Sequence, residues 1–240
     1  MLTSPQPRNE RVSLFGISET NFRHKLHVFR AAFAGHDNLS GLSFPVWQIS
    51  TNQYLLESPE ISYKHAYVVV AEYQTRGRGR RGNPWISPIG SGISLSIAWH
   101  FQQPVESLTC LSLAAGSAVI RVLTKMGFDG VGLKWPNDIF FQGKKLGGLL
   151  IEMRGETAGP CDVVIGLGLN FAFPLGFEGN IKQPWIDLVS IKDSTASRNH
   201  IAAELISEIM LLLDSYANIN TEDIINEWQL DCKPNSITYL

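Results

Sequence analysis

The chain has 240 residues, 44% of them hydrophobic and 18% charged, with a formal net charge of −2. That length can bury a sizeable core in one large domain or two small ones, and the composition excludes wholesale disorder. The small negative charge excludes a general electrostatic pull on nucleic acid, so any anion-binding function must come from a local cluster.

Residues 1–43 read as an N-terminal extension with one helix over 21–33, capped by Ser18, with Leu26, Phe29, Ala32 and Phe33 as its apolar stripe. His24 and His27 on that helix read as surface residues. The start, MLTSPQPRNERVS, is polar and lacks the apolar run of a signal peptide. Nowhere do about 18 apolar residues follow one another, so no membrane partner and a cytoplasmic location are expected. Residues 35–41 read as a loop.

From Phe44 the pattern is denser. A short strand is expected over 44–48, then Ser50 and Thr51 as helix caps ahead of Tyr54, Leu55 and Leu56. Ala66–Ala71 is a β-branched run suited to a buried strand. A loop rich in Gly, Arg and Pro fills 73–92. Ile93, Leu95, Ile97 and Trp99 then alternate with Ser94, Ser96, Ala98 and His100, the period of a strand. Residues 108–126 carry helical spacing, with Cys110 as a small buried hydrophobe and Gly127 placed to end the helix.

Strands follow over 131–135, 139–141, 146–153 and 163–169, then a polar loop over 173–185. An amphipathic helix over 199–217 and a second one around 224–230 complete the pattern. Several strands succeed one another without an intervening helix. The expected fold class is therefore α/β of the α+β type, a mixed β-sheet flanked by helices. Three cysteines, Cys110, Cys161 and Cys232, are too few and too scattered for a disulfide framework or a zinc site.

Three segments carry chemistry. Residues 76–82 read R-G-R-G-R-R-G, and glycines between guanidinium groups allow close, forked contacts to phosphate or carboxylate. A solvated basic loop is the plainer reading. Gly77, Gly79 and Gly82 also match G-x-G-x-x-G, but Asn83-Pro84-Trp85 follows where a dinucleotide site needs a helix, so that reading is rejected. Lys134-Trp135-Pro136-Asn137-Asp138 holds turn-forming residues, and Gly143-Lys144-Lys145-Leu146-Gly147-Gly148 puts two lysines at a hairpin. Gly147 and Gly148, like Gly166 and Gly168 in Gly166-Leu167-Gly168-Leu169-Asn170, imply that something approaches the strand backbone closely. For the last pair, a neighbouring strand is the simple alternative.

Taken in order, Ser50-Thr51-Asn52, Glu72-Tyr73-Gln74 with the glycine–arginine loop and Trp85, K-W-P-N-D, K-L-G-G and G-L-G-L-N resemble the biotin–protein ligases, also called biotin–acetyl-CoA-carboxylase ligases. The resemblance covers about 44–228. It implies the fold that these enzymes share with lipoate ligases and class II aminoacyl-tRNA synthetases, with a catalytic domain over 44–230 and the start of a C-terminal domain over 231–240. It implies ATP-dependent activation of biotin as biotinyl-5′-AMP and transfer to a lysine of a biotin carboxyl carrier protein.

Carried over by position, Ser50, Thr51, Asn52 and Gln74 hold the biotin head group, and Gly148, Leu150 and Gly166 line its ring pocket. Arg78, Gly79 and Arg80 belong to a loop that closes over the intermediate. Lys145 contacts the biotin carboxylate and the α-phosphate, and Lys145, Arg78 and Arg80 are the expected catalytic cations. Trp85, Asn137 and Asn170 join Arg80 and Lys145 at the nucleotide. Magnesium arrives with ATP, and Asp138 is the candidate for touching it or for orienting Lys145.

The segment before Phe44 is too short for the winged helix-turn-helix of bifunctional members, so DNA binding is not expected. The chain ends at Leu240 just as a strand begins at Ser236, where the family continues into a small C-terminal domain. A homodimer through a sheet edge stays open, as do a lipoate ligase and a non-catalytic biotin- or nucleotide-binding remnant. Against the lipoate reading, the R-R-x-S-G-G-G loop of such enzymes is absent.

Overall fold

The computed structural model describes residues 39–43, 45, 47–58, 66–155, 159–177, 181–192 and 196–232. The helix expected over 21–33, with Ser18, His24 and His27, and the strand expected from Ser236 lie outside these residues.

Nine strands are described: β1 (Leu39–Ser43), β2 (Trp47–Gln48), β3 (Ala66–Ala71), β4 (Tyr73–Gln74), β5 (Gly92–Phe101), β6 (Gly132–Lys134), β7 (Asp138–Phe141), β8 (Lys144–Gly155) and β9 (Cys161–Asn170). Five α-helices accompany them: α1 (Thr51–Glu57), α2 (Leu111–Lys125), α3 (Leu188–Ile191), α4 (Arg198–Ser215) and α5 (Thr221–Asp231). Seven strands form one mixed sheet in the order β1-β3-β5-β9-β8-β7-β6, with β1 parallel to β3 and every other neighbouring pair antiparallel. β2 and β4 form a separate parallel pair.

The antiparallel run follows from short connections, since no crossover helix fits between β6 and β9. The turn from β7 to β8 is Gln142-Gly143, both in the left-handed region at φ 47° and 76°. A tight two-residue hairpin demands that conformation.

The two faces of the sheet differ. Leu95 and Ile97 of β5, Leu149 of β8, and Ile165 and Leu167 of β9 point into the main core with α2, α4 and Ile224 of α5. On the opposite face, Leu55 of α1 packs with Val69, Ala98 and Val164, and small residues leave the rest of the surface open. Four of the five helix starts carry a local polar cap: Ser50 on α1, Asp187 on α3, Ser197 on α4 and Asn220 on α5. Arg121 of α2 bonds Glu208 of α4 at 2.8 Å and also Glu227 of α5, pinning three helices together.

Of the strand expected over 44–48, only Trp47–Gln48 is strand among the described residues, as β2, and β1 lies ahead of it. Residues 39–41, expected in a loop, belong to β1, where pairing with the buried β3 overrides a sequence with a central glycine. Cys110 is half-buried and precedes α2, because a 3-10 turn over Val105–Leu108 replaces the first helical turn. The Val105–Lys125 stretch is long and apolar enough to cross a membrane by composition, but its apolar face is spent on the core.

Candidate active site

The open face of the sheet carries a cavity of about 1530 Å³. Two rows of residues across the strands form its floor. One runs Val69, Ser96, Gly166, Leu150, and the next runs Ala71, Ser94, Gly168, Gly148, Asp138. Glycine and serine at the centre of both rows leave room above the sheet, and neighbouring groups occupy it. A Cβ on Gly166 would sit 2.1 Å from Asn52 Oδ1, and one on Gly168 would sit 2.4 Å from the Trp85 ring. The close approach that alternating glycines imply is thus made by a helix side chain and a loop indole, not by another strand.

One end of the cavity is polar and highly constrained. Asn52 donates from Nδ2 to Leu150 O at 3.1 Å and to Glu152 Oε2 at 2.9 Å, and its Oδ1 accepts from Ser96 Oγ at 2.6 Å. Ser96 Oγ also lies 2.7 Å from Thr51 Oγ1. Gln74 Oε1 accepts from Thr51 N at 2.8 Å and from Thr51 Oγ1 at 3.3 Å. Ser50, Thr51, Asn52 and Ser96 are all buried, so these bonds satisfy groups that would otherwise be costly in the interior.

The other end is cationic. Residues 77–85 form a tight hairpin rather than the loose backbone expected of so many glycines. Trp85 N donates to Gly77 O at 2.8 Å, Gly79 N to Asn83 O at 2.7 Å and Asn83 N to Arg80 O at 3.1 Å around a 3-10 turn at Arg80–Gly82. No α-helix starts there, as the rejected dinucleotide reading requires. Arg78 bonds both oxygens of Glu152 at 3.0 Å, and Arg80 NH1 donates to Asn137 Oδ1 at 3.3 Å. Lys145 Nζ lies 2.7 Å from Asp138 Oδ1. The buried indole N–H of Trp85 has no hydrogen-bond partner among the described residues.

Asn137 and Asn170 act partly as braces. Asn137 Nδ2 donates to Leu149 O while Leu149 N donates to Asn137 O at 2.9 Å. Asn170 Nδ2 donates to Ile186 O at 2.9 Å and Lys145 O at 3.4 Å, tying residues 184–186 to the start of β8. Asp138, the one carboxylate among the described lining residues, is committed to Lys145. No group of three His, Cys, Asp or Glu side chains that could hold a metal occurs among the described residues. Cys232 also lines the cavity, but burial, and secondarily Asp231, push its thiol up, which keeps it protonated and a poor nucleophile.

Every residue named from the sequence lines this one cavity: Ser50, Thr51, Asn52, Gln74, Arg78, Gly79, Arg80, Trp85, Asn137, Asp138, Lys145, Gly148, Leu150, Gly166 and Asn170. Sequence reasoning missed Ser96, Glu152 and the segment carrying Lys182, Gln183 and Trp185. Ser94 and Ser96 on the inward side of a buried strand, and one glutamate within Leu149-Leu150-Ile151-Glu152-Met153, were the available signals. It also missed Arg198, which reaches from α4 to Glu72 and donates to Gly92 O at 3.2 Å, fastening both ends of the loop between β3 and β5. Burial lowers the pKa of this guanidinium without discharging it.

A family model described as the biotin/lipoate A/B protein ligase family matches residues 44–170. The chain belongs to that family. Among ligase relatives, the bifunctional ligase/repressor BirA of Escherichia coli is 38% identical over 180 residues, 75% of this chain and 56% of that protein. The biotin--[acetyl-CoA-carboxylase] ligase of Mycobacterium tuberculosis is 35% identical over 159 residues, 65% of this chain and 57% of that protein. The chain thus spans somewhat over half the length of these curated relatives.

The biotin protein ligase of Leishmania major, solved in complex with biotin, superposes with a TM-score of 0.66 at 25% identity, covering 85% of this chain and 84% of that one. The Aquifex aeolicus biotin protein ligase in complex with biotin and ATP gives 0.64 at 26% identity, covering 81% and 78%. The mixed sheet with flanking helices is the ligase-family fold, and the glycine-floored cavity lies on its open face.

Proposed function

We propose that this chain activates biotin with ATP and transfers it to a lysine of a biotin carboxyl carrier protein. The observation that carries the reading is the convergence of Lys145 and the arginine hairpin on a cavity whose far end is built from Thr51, Asn52 and Gln74. A ureido ring offers two N–H donors and a carbonyl acceptor, which such hydroxyl and amide groups match. A dithiolane ring offers none, and a polar pocket discriminates strongly against a ligand that leaves its groups unpaired. This favours biotin over lipoate within the family.

In the first step a biotin carboxylate oxygen attacks the α-phosphorus of ATP. The bond to the β-phosphate oxygen breaks, and pyrophosphate leaves. Two anions must be brought together, and charge builds on the phosphoryl oxygens as they react. Lys145, Arg78 and Arg80 supply donors at the place where that charge develops. Asp138 keeps the Lys145 ammonium at one position. Magnesium enters as part of the ATP substrate, carried on its phosphates, where it neutralises charge.

In the second step an acceptor lysine amine attacks the acyl carbon of the mixed anhydride. The carbon–oxygen bond to phosphate breaks, AMP leaves and the nitrogen loses a proton. The hairpin and the Trp85 indole cover the anhydride meanwhile and limit its hydrolysis.

The test is direct. Protein incubated with biotin, ATP and magnesium should yield biotinyl-5′-AMP and, with an added carrier domain, one biotinylated lysine, both read by mass spectrometry. Lipoate in place of biotin should yield neither. Absence of the biotin products, or equal use of lipoate, overturns the assignment.

A further inference from the structure

Glu152 touches one lining residue from each end of the cavity, Asn52 and Arg78. It continues the face of β8 that carries Gly148 and Leu150, opposite Val164 of β9. Its carboxylate accepts from Asn52 Nδ2 at 2.9 Å and from Arg78 NH2 at 3.0 Å. A neutral donor from α1 and a charged donor from the hairpin thus meet on one acceptor, the one group among the described residues that both are bonded to.

The consequence for Asn52 is directional. With Nδ2 facing Glu152 and Leu150 O, its Oδ1 is left to Ser96 and the cavity. Flipping the amide would set Oδ1 against two other oxygens. For Arg78, the same carboxylate holds the hairpin down over the floor. The Arg78 and Glu152 side chains are 39% and 27% exposed, so the pair adds little to stability. Its effect lies in geometry.

We infer that Glu152 is a positioning residue that couples the head-group end of the cavity to the arginine hairpin, fixing the orientation of the Asn52 amide and the seat of Arg78 together. The inference rests on the reading of the cavity as a biotin and adenylate site.

Glu152→Gln tests it. Asn52 and Arg78 both reach Oε2 and Arg78 also reaches Oε1, so the amide keeps only one of these oxygens, without its charge, and turns an NH2 group toward a donor at the other. Biotin affinity should fall about tenfold, the scale of a lost charge-assisted hydrogen bond, and bound biotinyl-5′-AMP should be lost correspondingly faster. The KM for ATP should not rise, and the melting temperature should change little. Combined with Asn52→Ala, the two losses in biotin affinity should not add.

Glu152→Asp retains the charge but withdraws it by one methylene, which breaks the 2.9 Å contact. It should lower biotin affinity in the same direction, and it decides the matter should the glutamine variant fail to fold. Unchanged biotin affinity and adenylate lifetime overturn the inference. So does an equal loss for biotin and ATP with a lower melting temperature, which marks a merely structural part. If wild-type protein forms no biotinyl-5′-AMP, the functional reading falls and this inference with it. An active wild type with an unaffected variant overturns the inference alone.

Discussion

Replacing Gly166 by alanine should damage the head-group end of the cavity more than any stability effect of an added methyl suggests. The new Cβ would lie 2.1 Å from Asn52 Oδ1, 2.9 Å from its Cγ and 3.1 Å from its Nδ2. Relief requires the amide to retreat by about 1 Å, since van der Waals contact begins near 3.4 Å. Asn52 cannot retreat freely, because it is 3% exposed and bonded to Ser96, Leu150 and Glu152.

Losing two of those three bonds costs about 2–4 kcal/mol, against which a Gly→Ala change returns roughly 0.4–1 kcal/mol of unfolded-state entropy. A net loss of about 2–3 kcal/mol corresponds to a fall in melting temperature of roughly 5–10 °C for a protein of this size. Biotin affinity should collapse alongside, because the displaced amide fills its pocket. Calorimetry with biotin and a thermal melt measure both. The comparison is Gly168→Ala, whose methyl would meet the Trp85 ring at 2.4 Å and should weaken ATP more than biotin. Wild-type stability and biotin affinity in Gly166→Ala would show that Asn52 is not held where the geometry places it.

The other predictions concern charge and protonation. Lys145→Ala should slow pyrophosphate release from biotin and ATP by about 10²–10³-fold, the cost of one preorganised donor, and a wild-type rate would remove Lys145 from the chemistry. Arg80→Ala should lower ATP affinity more than Arg78→Ala, because Arg80 is seated on the neutral Asn137 and Arg78 on the anionic Glu152; calorimetry with ATP giving the reverse order refutes this. Burial, with a smaller contribution from Cys110, pushes the Tyr216 phenol from 10.0 up to about 12. Between those values the unfolded chain has lost a proton that the folded chain keeps, so this contribution is fully present below pH 10 and disappears as pH rises to about 12. It amounts to at most about 3 kcal/mol. Tyr216→Phe should flatten that part of a urea-denaturation series, and an unaltered alkaline fall would contradict it.

The strongly periodic elements were legible in the sequence. Ala66–Ala71 coincides with β3, and the alternation through Ser94 and Ser96 falls within β5. Gly127 ends α2 with φ at 81°. β1 was not legible, because LSGLS has neither a long apolar run nor clean alternation, and its strand state depends on a partner over twenty positions away. The site was legible as a set of motifs but not as an arrangement. Local sequence cannot reveal that Glu152 meets Asn52 and Arg78 across separations of 100 and 74 positions, or that Arg198 reaches Glu72 across 126. Glycines within buried strands announced a close approach without saying what approached.

Each of the three cations assigned to the chemistry already has a partner: Lys145 on Asp138, Arg78 on Glu152 and Arg80 on Asn137. Free, flexible cations would present a stronger field to an incoming nucleotide, but they would lose rotamer entropy at the moment of reaction. Seating them beforehand moves that ordering into the folding of the chain, at the expense of part of their charge where the seat is a carboxylate. The two carboxylate seats lie in the sheet itself, Asp138 on β7 and Glu152 on β8, whereas Asn137 lies in the turn before β7. The rigid sheet therefore sets the position of Lys145 and Arg78, and the turn sets that of Arg80. A barrier step that depends on placing a donor within a fraction of an ångström is best served by the first two. Nucleotide capture, which depends on net field more than on exact placement, falls more heavily on the third.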